Sequence, residues 1–410
     1  MDLYNTFAII IVLAAIFGYI NFKFLKLPNT IGIMIISLIG SLVMVLIGNI
    51  FPGLFKSSLA LIRTIDFYTV LMKIMLSYLL FAGSIHINIS DMRKEMKTIV
   101  VFSTFGVVFS TLIVATLIYF LSDAFGLKVD YIYCLLFGAL ISPTDPIAVI
   151  GILKNAKIPK SLETKISGES LFNDGVAVVL FISIFEIIQV GLDNMSIADI
   201  GVLFLKEAGG GLLFGLLLGY IGYLALKTID NYKVEVMITL AIVMGGYVLA
   251  SALHISGPLA MVVAGLIVGN KGREKGMSDI TRDYVDKFWE LIDEVMNAIL
   301  FLLIGMEMLI IKFTPEYLWL GIISIFIVLL ARFLSVWLPI TVLKYRTTFE
   351  NNAITILTWG GLRGGISVAL ALSLPKNMFG EMFVSITYIV VLFSIVVQGL
   401  TIGKLAKKLA

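Results

Sequence analysis

A helix needs about 20 consecutive apolar residues to cross a hydrocarbon core of roughly 30 Å, and runs of that length recur from one end of this chain to the other. They do not alternate apolar with polar residues, as the tilted strands of an outer-membrane barrel would. The expected fold is therefore all-α and polytopic. Composition agrees. Of 410 residues, 60% are hydrophobic and 14% charged, whereas a soluble domain carries about 25% charged residues.

Thirteen candidate spans lie near 3–21, 29–50, 68–86, 98–121, 131–153, 162–189, 201–227, 234–253, 257–270, 289–311, 316–343, 350–374 and 378–402. Linkers are short, so residues 1–410 read as a single membrane domain. Only Asp2 lies between the initiator and the first run, with no basic segment and no small-residue cleavage site. That run reads as a retained helix rather than a secretory signal. One cysteine (Cys134) and two histidines (His86, His254) provide neither a disulfide framework nor a Cys/His metal cluster. A net charge of +3 carries no signal for nucleic acid.

Where the charges sit is more informative. One set of alternate loops holds 21 basic residues, among them Lys23, Lys26, Arg93, Lys160, Lys165 and Lys407. The other set holds five: Lys56, Arg63, Lys128, Lys312 and Lys376. The positive-inside rule then puts the N-terminus outside and the C-terminus in the cytoplasm.

A faint internal repeat is also present. LLFAGSIHI at 79–87 echoes FLLIGMEML at 301–309, which puts Gly83 in register with Gly305. A proline-broken span around Thr144 has a glycine-broken counterpart around Arg363. Paired interruptions in inverted copies point to a secondary transporter whose site lies near the midplane, where the breaks face each other.

The first break, ISPTDPIAVI at 141–150, carries two prolines three residues apart. Proline removes backbone donors and disfavours helix in the residue before it. Asp145 followed by Pro146 reads as the cap and first residue of a second half-helix. The freed carbonyls around Thr144 need partners that lipid cannot supply, and a cation can. A plain proline kink is the alternative. The second break, TWGGLRGGISVALALSLP at 358–375, sets four glycines around Arg363. If the two breaks cross, Asp145 offsets positive half-helix ends and Arg363 negative ones. Glycine-mediated packing with a snorkelling arginine is the blander reading.

The third constellation is SGESLFNDGVAVVLF, 167–181, with Glu169, Asn173 and Asp174 in one span. Helical spacing stacks Glu169 over Asn173 and Ser170 over Asp174. Arg332, alone in FIVLLARFLSVWLP, is the expected partner of Glu169, because an unpaired buried charge is costly. Asp174 is left with no obvious permanent cation. With the Ser170 hydroxyl and the backbone oxygens around Thr144 it makes a hard, oxygen-only site for a small monovalent cation. Exclusion of water favours the neutral acid, so proton and cation compete for one carboxylate. Glu307 stands in a repeat-related span; Lys73 and Lys206 read as snorkelling or span-end residues, and His86 and His254 as polar-interface residues near helix ends. The run 271–287 reads as a solvated connection. A channel would need a repeated filter sequence. No such filter is visible. An intramembrane aspartyl protease would need two carboxylates sharing a proton; Asp145 and Asp174 could be cast in that role, but neither lies in a protease motif.

ESLFNDGVAVVLF, with SPTDP upstream and WGGLRGGISVALALSLP downstream, resembles the NhaP-like, sodium/proton exchanger branch of the cation–proton antiporters. The resemblance covers essentially the whole chain. It implies a homodimer of thirteen-helix protomers in the cell membrane that exchange Na+ (or Li+ or K+) for H+ without a cofactor. It also implies that Asp174 binds cation and proton alternately, supported by Ser170, Thr144 and Asp145. Glu169, Asn173 and Arg332 match the family's structural polar cluster, and Arg363 the arginine of the second broken helix. Some relatives carry an acidic residue beside the glycine at 83, where this chain has Ala82. The long regulatory tail of animal exchangers is not expected. Asn173 cannot titrate and Arg332 stays charged, so the expected exchange is electroneutral and one for one.

Overall fold

The computed structural model describes residues 3–48, 50, 53, 59, 66–145, 158–191, 197–311, 313–344, 349–350 and 352–409. Helices make all the regular structure among them, and none of the described residues is in a strand. In chain order they are α1 (Leu3–Ile20), α2 (Asn29–Gly48), α3 (Phe67–Ile85), α4 (Ile89–Ala124) and α5 (Tyr131–Ile141). Next come α6 (Lys160–Val190), α7 (Ile197–Lys227), α8 (Tyr232–Ala252), α9 (Gly257–Ile267) and α10 (Asp279–Glu307). The last are α11 (Pro315–Leu343), α12 (Ala353–Trp359), α13 (Gly365–Leu372) and α14 (Gly380–Leu409).

Among the described residues, nine helices are long and apolar enough to cross a membrane by length and composition. Among the described residues, each of the thirteen expected spans lies mainly on helix, and residues 146–153 of the fifth lie outside them. Those outside the nine are α5, α9, α10 and the α12–α13 pair, and each has a physical reason. Helix α5 ends at Ile141 and the α12–α13 segment is interrupted; α9 is 11 residues long and runs on into Lys271, Arg273, Glu274 and Lys275, and α10 carries a run of carboxylates in its first half. Length alone therefore does not fix the count at thirteen.

Local signals set the helix ends. The Asn88 side chain accepts from the backbone N–H groups of Ser90 and Asp91 at the start of α4 (2.8 and 3.2 Å). Thr314 precedes Pro315 and accepts from Tyr317 N at the start of α11. Both satisfy donors that the first turn leaves orphaned. The helices then sort by what covers them. In α6, 67% of the apolar window is buried in protein, against 17% for the first helix and 28% for α7. The outer helices leave Leu213, Leu217 and Val248 exposed, as a lipid-facing surface requires. Helix α6 is central, and its polar residues are placed inside the bundle.

Lys165 departs from the sequence reading. Counted there among loop charges, it lies within α6 at 1% exposure. Its ammonium group pairs with Glu350 (3.0 Å) and Glu95 (3.5 Å), which ties α4, α6 and the approach to α12 at one end of the bundle.

Candidate ion-binding site

The two breaks meet. Helix α5 stops at Ile141, and residues 143–145 are non-helical; the second half-helix expected from Pro146 lies outside the described residues. Helix α12 stops at Trp359, residues 361–364 are non-helical, and α13 begins at Gly365. Backbone N–H of Asp145 donates to Leu362 O (2.8 Å), so one unwound strand completes the other's hydrogen bonding where lipid could not. The Arg363 guanidinium donates through Nη1 to the carbonyls of Ser142 and Pro143 (3.0 Å to Pro143). Its backbone N–H donates to Ser394 Oγ (2.9 Å). A buried cation thus sits on the orphaned, negative C-terminal end of α5.

Gly364 brings Asp145 against the start of α13. A Cβ there would overlap the Asp145 carboxylate, so the close approach needs a residue without one. Gly364→Ala should therefore displace Asp145 and sharply reduce transport. Gly40→Ala, where a Cβ meets nothing within 4 Å, should leave it unchanged. Equal transport by the two variants in vesicles would sink this reading of the break.

The four polar residues of α6 divide by partner. Glu169, 1% exposed, is held bidentately by Arg332, 7% exposed, with Nη2 donating to Oε2 at 3.0 Å and Nη1 to Oε1. Arg332 Nε also donates to Leu357 O (3.2 Å), so one guanidinium joins α6, α11 and α12. Asn173 Nδ2 donates to Thr144 Oγ1 (2.8 Å), and Thr144 Oγ1 lies 3.1 Å from Ser170 Oγ. Asn173 and Ser170 therefore both turn toward the first break, whereas the simple stacking had separated them. Asp174, 8% exposed, is the only one of the four that lines the large cavity.

That cavity has a volume of about 1060 Å³. It runs from Lys26 and Asn88, on loops of the basic set, and from Asp91 and Lys160 in the first turns of α4 and α6, inward to Asp174, Asp145 and Gly364. Lys160 and Asp91 pair across its mouth at 3.3 Å. Gly83 lines it, while Ala82 is buried away from it. Two sets of lining residues were missed from sequence. Ser167 and Leu171 share the cavity side of α6 with Asp174, at spacings of four and three residues. On α10, Asp286, Glu290, Asp293 and Asn297 line the cavity at spacings of four, three and four. That helical spacing was visible in the sequence, but the expected boundary at 289 cut the stripe in two.

The Ser170 and Thr144 hydroxyls meet beside the unwound backbone of the first break, and Asp174, on the same helix as Ser170, faces the cavity. Among the described residues, no group of three or more His, Cys, Asp or Glu side chains could hold a metal ion.

A helix that ends at a proline break and a second, interrupted helix meet beside a buried carboxylate at the inner end of a cavity, an arrangement characteristic of secondary transporters. Residues 11–408 match the family described as sodium/hydrogen exchanger, transmembrane, and the chain belongs to that family, which makes it a transporter rather than an enzyme. The Na(+)/H(+) antiporter NhaP of Pseudomonas aeruginosa is 50% identical, across 98% of this chain and 96% of that protein. The Na(+)/H(+) antiporter NhaH of Halobacillus dabanensis is 35% identical, across 94% of this chain and 93% of that protein. The solved sodium proton antiporter MjNhaP1 from Methanocaldococcus jannaschii has a TM-score of 0.77 over 100% of this chain and 99% of that one. At 22% identity, that likeness is one of fold.

Proposed function

We propose that this chain exchanges Na+, or Li+ or K+, for H+ across the cytoplasmic membrane, one ion for one proton, with Asp174 carrying each in turn. One observation carries the reading. Within the α6 cluster, Glu169 is committed to Arg332, and Asn173 and Ser170 to Thr144, while Asp174 faces the cavity. The relatives named Na(+)/H(+) antiporters support the ions.

In the deprotonated site, the carboxylate binds a partly dehydrated cation with oxygens from Ser170 and Thr144. Protonation from the opposite side removes that negative charge, and the cation leaves. Glu169, Asn173, Arg332 and Arg363 hold their charges and hydrogen bonds throughout, so the crossed breaks keep their geometry. Each form of Asp174, loaded with H+ or with cation, carries the same net charge through the membrane, which makes the exchange electroneutral. The cavity opens among loops of the basic set, so this conformation faces the cytoplasm, with the N-terminus outside and the C-terminus inside. Alternating access then closes this cavity and opens one on the other side, and the working unit is a homodimer.

Proteoliposomes with an imposed pH gradient test the exchange. Addition of Na+ should collapse the gradient, and parallel runs with Li+ and K+ rank the cations. A gradient that survives all three would overturn the proposal.

A further inference from the structure

The stripe on α10 contains an arrangement that the exchange chemistry at Asp174 does not use. Asp293 and Asn297 stand one turn apart, and both line the cavity between its mouth and Asp145. The Asn297 amide donates to the Asp293 carboxylate, and Asp293 is close enough to Asp145 for their charges to interact. Asn297 is 2% exposed, and its Oδ1 is buried with no hydrogen-bond partner among the described residues. A buried amide oxygen without a donor costs free energy, and here the side chain that bears it is bonded to a carboxylate that lines the cavity. A cation seated between the two side chains would give that oxygen a partner and balance the carboxylate's charge. On the next turn, Leu300 closes the stripe and packs over Gly365 at the start of α13, so an ion held at Asn297 lies next to the crossed breaks.

We infer that Asp293 and Asn297 form a second monovalent-cation site, a waiting position on the cytoplasmic route from which the ion passes to Asp174. The ion leaves this position for Asp174 before the exchange step, so the one-for-one stoichiometry at Asp174 is unchanged. Only the identity of the ion rests on the proposed exchange, and binding at the second site is measured apart from turnover.

The test is equilibrium binding of radiolabelled Na+ to the purified full-length chain, together with transport kinetics. Wild type should bind a second Na+ per protomer that Asp293→Asn loses, while Asp174→Asn loses the first and keeps the second. Asn297→Leu should also lose the second ion, and Asn297→Asp, which keeps an oxygen at that place, should retain it. In vesicles, Asp293→Asn should raise the KM for Na+ severalfold on the cytoplasmic side and leave kcat unchanged. Equal Na+ binding by wild type and Asp293→Asn would overturn the inference, as would a fall in kcat at constant KM. Melting temperatures of the two Asn297 variants guard against misfolding: a Leu variant that melts with wild type yet keeps the second ion also overturns it.

Discussion

Asp174→Asn is expected to lose cation-dependent proton movement entirely while the protein folds and inserts as before. Asparagine has the same shape as aspartate but can neither bind a proton reversibly nor present a negative charge to a cation. Both halves of the exchange fail together, so no substrate concentration rescues the rate. The fold should tolerate the change. A buried ionised group carries a desolvation cost of several kcal/mol, and a neutral amide in its place removes that cost. The informative pair of measurements is therefore a flat pH-gradient trace in vesicles beside a melting temperature at or above that of wild type. A variant that still exchanges Na+ for protons would remove Asp174 from the mechanism. A variant that fails to fold would show that the carboxylate has a structural partner.

The largest expected stability effect lies one turn away, at Glu169 and Arg332. Arg332→Ala leaves the Glu169 carboxylate charged at 1% exposure, and stranding one member of a buried pair costs about 3–5 kcal/mol. It also removes the donor to Leu357 O, so α12 loses its tie to α6 and the second break loosens. Arg332→Lys should be little better, because a lysine ammonium lacks the planar fork that grips both carboxylate oxygens. The double variant Glu169→Gln with Arg332→Met removes both charges and should recover much of the lost stability. Thermal melting in detergent reads all three. If Arg332→Ala melted with wild type, the pair would not be the structural clamp described here.

These two residues also show why part of the site could be read from sequence. In a medium that cannot solvate charge, each buried ion needs a partner. Arg332 was the one cation in its stretch and Glu169 the acid with no other use, so the pairing had few alternatives. The position of the breaks was legible for a similar reason: Pro143 and the glycines around Arg363 mark the places where backbone leaves the helix, and there the two meet. The inward turn of Asn173 toward Thr144 was not legible, because it depends on the angle at which the first break crosses α6. Nor was the burial of Lys165, whose partners Glu95 and Glu350 are distant in sequence and meet it only once α4 and α12 are packed. The α10 stripe was obscured by its own polarity. Four polar residues at Asp286, Glu290, Asp293 and Asn297 lower the hydropathy of a helix that lines a cavity, and the early part of that helix reads as a loop.

The central claim is that one carboxylate, Asp174, trades one cation for one proton. Na+ flux in proteoliposomes with equal pH on both sides, under a diffusion potential set by the permeant anion thiocyanate, tests it most directly. The account predicts the same Na+ flux at every imposed voltage, and no net Na+ uptake driven by voltage alone. Voltage-driven uptake would mean that a second titrating group moves with Asp174, and one-for-one exchange at a single carboxylate would be wrong.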